Sequence, residues 1–184
     1  MNGTLTAEAA TSTNRIVFTS RASTPAARDW GTIRFNAGAG GSLKHCEINA
    51  ASYGIYTYGN NANPTIDNCA ISNNSSSGVY ATNYSAPTIT NSTITNNQTG
   101  VWTQDHAAPI VTDSIISNNS GNGIYVNGGI TIATSTISNN LSRGVYLDYA
   151  RGAVTITNST ISGNAANYGY GGGIRNTGAL TITN

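Results

Sequence analysis

Charged residues are scarce in this 184-residue chain, at 8% of the total, whereas an average soluble domain has about a quarter. Eight Lys and Arg nearly balance seven Asp and Glu, so there is no basic excess to attract nucleic acid or an anionic membrane. No run of about 18 apolar residues could cross a bilayer as a helix. The residues after Met1 also lack the features of a secretory signal peptide, so the sequence indicates no membrane insertion and reveals no export route.

What the chain has instead is a repeat. Each copy opens on a glycine, and the step between copies lies in the low twenties except for the last, longer one, which is typical of a solenoid. The opening glycines are Gly54, Gly78, Gly100, Gly123, Gly144 and Gly173. The extra length of the last step is an insertion, 165–172, rich in Gly and Tyr.

Each copy contains three short runs in which apolar and polar residues alternate, the pattern of a half-buried strand. In the copy that begins at Gly78 these runs are 79–81, 88–90 and 93–95. Only Asn91 and Ser92 separate the last two runs, too few for a hairpin partner, so the chain must bend and continue around a coil. We therefore predict an all-β parallel solenoid with three strands per coil and about seven coils, forming a single domain over 1–184. No capping unit is evident at either end, which favours a segment of a longer solenoid or a unit that stacks end to end.

The motif GIY followed by PTITNSTISNN, with GTLTAEAA, RIVFTS and WGTIRF ahead of it, resembles the repeats of right-handed parallel β-helices in the pectin-lyase-like superfamily. It is most similar to the Asn-rich repeats of large bacterial and archaeal surface or secreted proteins. The resemblance covers nearly the whole chain and implies a right-handed coil and an extracellular or cell-surface location. It implies no single activity, because the superfamily includes lyases, hydrolases, epimerases, tailspikes and adhesins.

Stacked coils align equivalent residues into columns, about 4.8 Å apart from one coil to the next. Three columns are aliphatic and are predicted to form the core. The first strand contributes Val79, Val101, Ile124, Val145 and Ile174. The second contributes Leu43, Ile66, Ile89, Val111, Ile132, Ile156 and Ile182, and the third Ile48, Ile71, Ile94, Ile116, Ile137 and Ile161.

Asparagine concentrates at the predicted bends. Asn68, Asn91 and Asn158 lie between the second and third strands, at the position that His45, Asp113 and Thr134 occupy in other coils. Asn73, Asn96, Asn118 and Asn139 follow the third strand. Asparagine tolerates the left-handed conformation, and stacked amides can hydrogen-bond along the axis. We predict that these residues form a structural ladder and that His45 is a turn residue.

Cys46 and Cys69 occupy one column on consecutive coils, where later coils have serine. A spacing of about 4.8 Å is within disulfide range, but neighbouring side chains on parallel strands rarely point suitably, which favours two stacked thiols. Without His residues nearby, the pair predicts no metal site. No cofactor is predicted either.

One outward column is a candidate binding surface. We call Tyr56, Tyr80, Trp102, Tyr125 and Tyr146 the aromatic ladder; Arg34 and Arg175 flank it. Enzymes and tailspikes of the resembling superfamily hold polysaccharide on this face, and aromatic rings give sugars or another protein a surface to stack on. The alternative is that aromatic residues favour strands and shield their neighbours. The resulting hypothesis is a non-catalytic surface module that binds polysaccharide or a protein partner along the ladder.

Three alternatives remain open. Asp105, His106 and Asp148 are candidates for a polysaccharide lyase or hydrolase, although no Asp cluster for calcium and no polygalacturonase motif is present. End-to-end association would instead make the chain a filament subunit. The T-x-T runs of the second strands resemble the threonine arrays of ice-binding solenoids, with departures at Asp67, Ile110 and Ala133.

Overall fold

The structure is a computed structural model that describes residues 3–165 and 172–184, so most of the predicted insertion at 165–172 lies outside the described residues. The described chain forms twenty-two strands, numbered β1 to β22 in chain order, and contains no helix that could cross a membrane. The first sheet consists of β3 (Ile33–Phe35), β6 (Ile55–Tyr58), β9 (Ser77–Thr82), β12 (Thr99–Thr103), β15 (Ile124–Val126), β18 (Val145–Leu147) and β21 (Ile174–Asn176).

The other two sheets hold the second and third strands of each coil. The second sheet consists of β1 (Thr4–Glu8), β4 (Gly40–Lys44), β7 (Thr65–Asp67), β10 (Thr88–Thr90), β13 (Ile110–Thr112), β16 (Ile130–Ala133), β19 (Val154–Thr157) and β22 (Thr181–Thr183). The third consists of β2 (Ile16–Phe18), β5 (Cys46–Asn49), β8 (Ala70–Ser72), β11 (Thr93–Thr95), β14 (Ile115–Ser117), β17 (Thr136–Ser138) and β20 (Thr160–Ser162).

The strand order confirms the predicted coil. Every described strand pair is parallel, and each strand pairs with the strand three places before or after it. The registers agree with the sequence repeat: Ile66 pairs with Ile89, which pairs with Val111. The fold is therefore an all-β parallel solenoid with three strands per coil; its sheets have seven, eight and seven strands.

The three aliphatic columns form the core, as predicted. Leu43, Ile71, Ile89 and Val101 are fully buried. The columns become more exposed near the last coil, where Ile161 and Ile174 are half-buried. Ile182 was predicted to lie in the core, but its side chain is 58% exposed. It is exposed because no described strand follows β22 to cover it.

The predicted bends adopt the left-handed conformation. Asn68, Asn91 and Asn158 have φ angles of 53°, 49° and 47°, and His45 has a φ of 51°. Asn73, Asn96, Asn118 and Asn139 also have positive φ, between 54° and 56°. Asparagine is enriched at such positions because its short polar side chain tolerates this backbone. Both sets of residues, together with His45, are turn residues.

Apart from the bond from Asn91 Nδ2 to Asp67 Oδ1, the amide hydrogen bonds along the axis are made by different asparagines from those predicted. The left-handed residue, such as Asn118, turns the chain. The side chain that points inward is therefore that of the next residue, such as Asn119. Asn97 Nδ2 donates to Asn119 Oδ1 at 3.3 Å, and Asn119 Nδ2 donates to Asn140 Oδ1 at 2.8 Å. We call this column the inner asparagine ladder; its members are Asn74, Asn97, Asn119, Asn140 and Asn164. The prediction that Asn73, Asn96, Asn118 and Asn139 carry these bonds was one residue out of register.

A second polar column runs beside the third strands. From Cys69 to Ser135, the backbone N–H of each member donates to the serine Oγ of the next coil, as Ser92 does to Ser114 and Ser114 to Ser135, both at 3.1 Å. Cys46 and Cys69 occupy the early positions of this column; both are buried and both are free thiols. Burial raises the pKa of Cys69 to about 12.

Candidate functional site

The aromatic ladder lies on the outer face of the first sheet. Its members are paired strand to strand, from Tyr56 and Tyr80 through Trp102 to Tyr125 and Tyr146. Arg34 precedes Tyr56 in the same register and Arg175 follows Tyr146. The structure therefore places all seven predicted residues in one line along the axis.

The rings of the ladder contact one another without a gap. Successive centroids are 4.9 Å apart for Tyr56 and Tyr80, 5.2 Å for Tyr80 and Trp102, and 5.3 Å for Trp102 and Tyr125. The interplanar angle rises along the ladder from 30° at Tyr56–Tyr80 to 88° at Tyr125–Tyr146. Each ring is half-buried, because its neighbours cover part of its surface, and the stripe is less exposed than the sequence suggested.

Guanidinium groups cover the two ends of the ladder. Arg34 Cζ lies 4.7 Å from the centroid of the Tyr56 ring. At the other end Arg143 and Arg175 lie 4.7 and 5.0 Å from the centroid of Tyr146. Such contacts are attractive because the ring face carries negative electrostatic potential.

Polar side chains border the ladder two residues after each ring from Tyr80 to Tyr146. The Tyr80 hydroxyl donates to Gln104 Oε1 at 2.8 Å, across to the next coil. The hydroxyls of Tyr125 and Tyr146 both donate to the carboxylate of Asp148, the latter at 3.1 Å. Burial raises the pKa of Tyr125 and Tyr146 above the ordinary tyrosine value, and Asp148 raises both further. Burial likewise raises the pKa of Tyr56 and Tyr80.

The Trp102 indole differs from its neighbours. Its Nε1 is buried and has no hydrogen-bond acceptor among the described residues. The indole touches Tyr80 on one side and packs against Tyr125 in a T-shaped contact, with an interplanar angle of 65°, on the other. A buried donor left without a partner is uncommon and calls for an explanation.

The loops that follow the first sheet carry the most exposed aromatic groups. Tyr84 is 58% exposed and stacks on the His106 ring at 5.1 Å, with an interplanar angle of 11°. Tyr149, one residue beyond Asp148, is 75% exposed. Tyr84, His106 and Tyr149 all have positive φ angles, which is unusual for bulky residues and is a feature of functional loops.

The three candidate catalytic residues occupy this same rim but have separate partners. Asp105 accepts a hydrogen bond from Thr82 at 3.2 Å and lies 3.8 Å from Arg151 Nη1. Asp148 accepts the two tyrosine hydroxyls, while His106 stacks on Tyr84. No group of three or more His, Cys, Asp or Glu side chains converges anywhere in 3–165 or 172–184.

The threonines of the second sheet lie on an outer face, where apolar and charged residues interrupt their columns. Ile110, between Thr88 and Thr131, is 44% exposed. Asp67 accepts hydrogen bonds from Thr90 and Asn91, and Lys44 lies 3.6 Å from it. The Asn91 amide holds the pKa of Asp67 below its ordinary value.

Several contributors to the site were not predicted. Tyr53 stacks on Tyr80 at 5.4 Å, and Tyr53 and Arg143 each stand immediately before an opening glycine. Gln104 lies two residues after a ring, in the column of Asp148, which was predicted only as a catalytic candidate. Aligning these two flanking positions on the glycines would have found Tyr53, Arg143 and Gln104, because the sheet register places equivalent positions side by side.

The fold and its repeated outer face define the protein as a parallel β-solenoid with a continuous row of aromatic side chains on its first sheet. A family model described as right handed beta helix region matches residues 31–184. The match covers most of the chain, which therefore belongs to the right-handed β-helix family. Searches of the curated proteins and of the solved structures found no match. The family fixes the fold and no activity, since β-helices serve as enzymes and as non-enzymes.

Proposed function

We propose that this chain is a non-catalytic module, exposed on or outside the cell, that binds an extended polysaccharide along the aromatic ladder. The observation that carries the proposal is the unbroken succession of five half-exposed rings, one per coil. The five rings span about 19 Å at the spacing of parallel strands. A straight, evenly repeating surface suits a ligand that is itself a straight chain of similar units.

The chemistry beside the rings also suits a carbohydrate. Gln104, Asn127 and Asp148 stand in one column along the ladder and offer amide and carboxylate groups. Amides and carboxylates accept hydrogen bonds from sugar hydroxyls, while the aromatic carbon surface packs on the sugar ring. The exposed rim rings of Tyr84 and Tyr149 add apolar surface beside this border.

The partners already held by Asp105 and Asp148 favour binding over catalysis. A glycosidase needs one protonated and one ionised carboxyl on either side of the scissile bond. Here Asp105 is engaged by Thr82 and Arg151, and Asp148 by two phenols. The extracellular or cell-surface location rests on the resemblance of the Asn-rich repeats.

The proposal is tested with soluble β-glucan, xylan and polygalacturonate as probes, by affinity electrophoresis followed by calorimetry. Trp102→Ala combined with Tyr125→Ala should weaken binding by at least about tenfold, because buried aromatic contacts dominate such interfaces. The matched control is Ile110→Ala combined with Ile115→Ala, which removes exposed apolar surface from the other two sheets. The control should bind like the parent chain.

Two results would overturn the proposal. One is equal binding by the ladder variant and the control variant when circular dichroism shows both folded. The other is no binding of any probe by the parent chain, which would direct attention to a protein partner on the same face. Release of new reducing ends from a bound probe would contradict the non-catalytic part alone.

A further inference from the structure

Trp102 has a different tyrosine environment on each of its two sides. Towards the first coils, Tyr80 donates its hydroxyl hydrogen bond to the neutral amide oxygen of Gln104. Towards the last coils, Tyr125 donates its hydroxyl hydrogen bond to the carboxylate of Asp148. The Trp102 ring lies 5.2 Å from the Tyr80 ring and 5.3 Å from the Tyr125 ring. The two sides therefore offer rings at nearly equal distances but unequal proton acceptors.

We propose that Trp102, Tyr125 and Asp148 form a one-way relay for one-electron oxidation, in which an oxidised Trp102 takes an electron from Tyr125 while Asp148 takes the phenolic proton. The first electron is removed from Trp102 by a diffusible one-electron oxidant, such as an inorganic radical. The relay is independent of polysaccharide binding. It gives the aromatic ladder a second activity, the transfer of oxidising equivalents away from the indole.

The lack of a proton acceptor for the Trp102 N–H explains why the relay starts at Trp102. Loss of one electron turns the indole into a radical cation, which would ordinarily release its N–H proton to an acceptor. Trp102 Nε1 is buried without an acceptor among the described residues, so this proton stays in place and the radical cation remains a strong oxidant. The unpaired indole donor thus has a chemical consequence.

The transfer step balances. One electron passes from Tyr125 to the Trp102 radical cation, which becomes neutral indole with its N–H intact. The Tyr125 O–H proton moves along the existing hydrogen bond to Asp148. The products are a neutral tyrosyl radical and a protonated carboxyl. Tyr80 cannot do the same, because a neutral amide oxygen is too weak a base to take the proton.

Arginines at the two ends of the ladder confine the oxidised state to its middle. Arg143 and Arg175 both lie over the Tyr146 ring, and Arg34 lies over Tyr56. Positive charge close to a ring disfavours removal of an electron from it, by ordinary electrostatics. Although Tyr146 shares Asp148 with Tyr125, the radical settles on Tyr125.

Pulse radiolysis in azide solution tests the relay, because the azidyl radical oxidises indole rapidly. All chains carry Trp30→Phe, which leaves Trp102 as the single tryptophan of the two. We expect the indolyl radical absorption to decay as the tyrosyl absorption grows, at a rate independent of protein concentration. Asp148→Asn keeps a hydrogen-bond acceptor but not a base, and it should slow this conversion by roughly a hundredfold, the usual contribution of a positioned base.

A matched pair of conservative variants identifies the tyrosine that reacts. Tyr125→Phe and Tyr80→Phe each remove one hydroxyl and keep the ring. Tyr125→Phe should abolish the fast conversion, whereas Tyr80→Phe should leave its rate unchanged. Equal rates in the parent and Asp148→Asn chains, or loss of the fast phase in Tyr80→Phe and not in Tyr125→Phe, would overturn the proposal.

Discussion

The inner asparagine ladder and the aromatic ladder both place one side chain per coil, but they are built on opposite principles. From Asn97 to Asn164, each inner amide oxygen accepts a backbone N–H and a side-chain N–H from the preceding coil, as Asn119 Oδ1 does from Asn97 at 3.0 and 3.3 Å. The same geometry recurs at Asn140. The aromatic rings instead meet at angles from 30° to 88°. The inner ladder fixes the coil, while the outer one tolerates variation in ring angle and leaves part of each ring exposed.

The largest effect should come from breaking the inner ladder at its centre. Asn119→Ala removes the acceptor of the Asn97 backbone N–H and leaves that buried donor unpaired. Its unfolding free energy, measured in urea, should fall by about 3 kcal/mol, since one unsatisfied buried group alone costs about 1–3 kcal/mol.

The neighbouring turn residue supplies the control for this variant. Asn118 is exposed and has a φ of 54°, a conformation that glycine adopts without strain. Asn118→Gly should therefore change the unfolding free energy by less than about 1 kcal/mol. A loss as large as that of Asn119→Ala would mean that the turn position, and not the inner amide, stabilises the coil.

The opening glycines should show the next largest effect, because they leave room for the inner ladder. A Cβ added at Gly100 would lie 2.4 Å from Ile116 Cγ2, 2.5 Å from the Gly123 carbonyl oxygen and 3.1 Å from Asn119 Nδ2. We expect Gly100→Ala to cost about 2 kcal/mol by overpacking. Gly40→Ala is the matched control, since a Cβ there would meet nothing within 4 Å. Equal urea midpoints for the two variants would contradict this explanation.

These cases show how much could be predicted from the sequence. Period-two alternation gave the strands, and the glycine spacing gave their register, because both are local properties of the chain. The inner ladder was misplaced by one residue, because alternation stops at a left-handed residue and both members of each Asn-Asn pair looked equivalent. The pair Gly163-Asn164 could have shown which asparagine of each pair belongs to the inner ladder. Gly163, with a φ of 63°, occupies the left-handed position, and Asn164 provides the amide.

The sequence predicted where the residues of the candidate site lie, but not which side chains they contact. The column from Tyr56 to Tyr146 follows from register alone. That the rings cover one another, that Asp148 accepts two phenols and that Tyr84 stacks on His106 depend on side-chain rotamers and loop geometry, which the repeat does not encode.

A smaller effect should appear at alkaline pH, where the tyrosines of the aromatic ladder ionise. Burial raises the pKa of Tyr56, Tyr80, Tyr125 and Tyr146 in the folded chain, whereas in the unfolded chain tyrosine ionises near its ordinary value of about 10. Below that pH these tyrosines hold their protons in both states and contribute no pH dependence to stability. Above it the unfolded state releases protons first, so the unfolding free energy should fall as pH rises.

Tyrosinate absorbance measures this directly. Asp148→Asn should lower the pH at which Tyr125 and Tyr146 ionise, because the carboxylate adds to the effect of burial on both. The turn residue Asn118 is not titratable and its side chain bonds Ser117, so Asn118→Gly should leave the absorbance titration unchanged. An Asp148→Asn curve that superimposes on that of the parent would show that Asp148 does not contribute to the raised pKa.

The smallest effect should come from replacing Cys69 by serine, because later coils of the same column already have serine at this position. Cys69 holds the position that Ser92, Ser114 and Ser135 occupy in the following coils, and its Sγ donates to the Leu43 carbonyl oxygen at 3.3 Å. Ser92 Oγ makes the equivalent bond to the Ile66 carbonyl oxygen at 3.4 Å. Cys69→Ser therefore keeps the donor and its direction, and the unfolding free energy should change by less than about 1 kcal/mol. Cys69→Ala, which removes the donor to the Leu43 carbonyl oxygen, should cost more than the serine variant, because the column stabilises the coil through its hydrogen bonds and not through the bulk of its side chains.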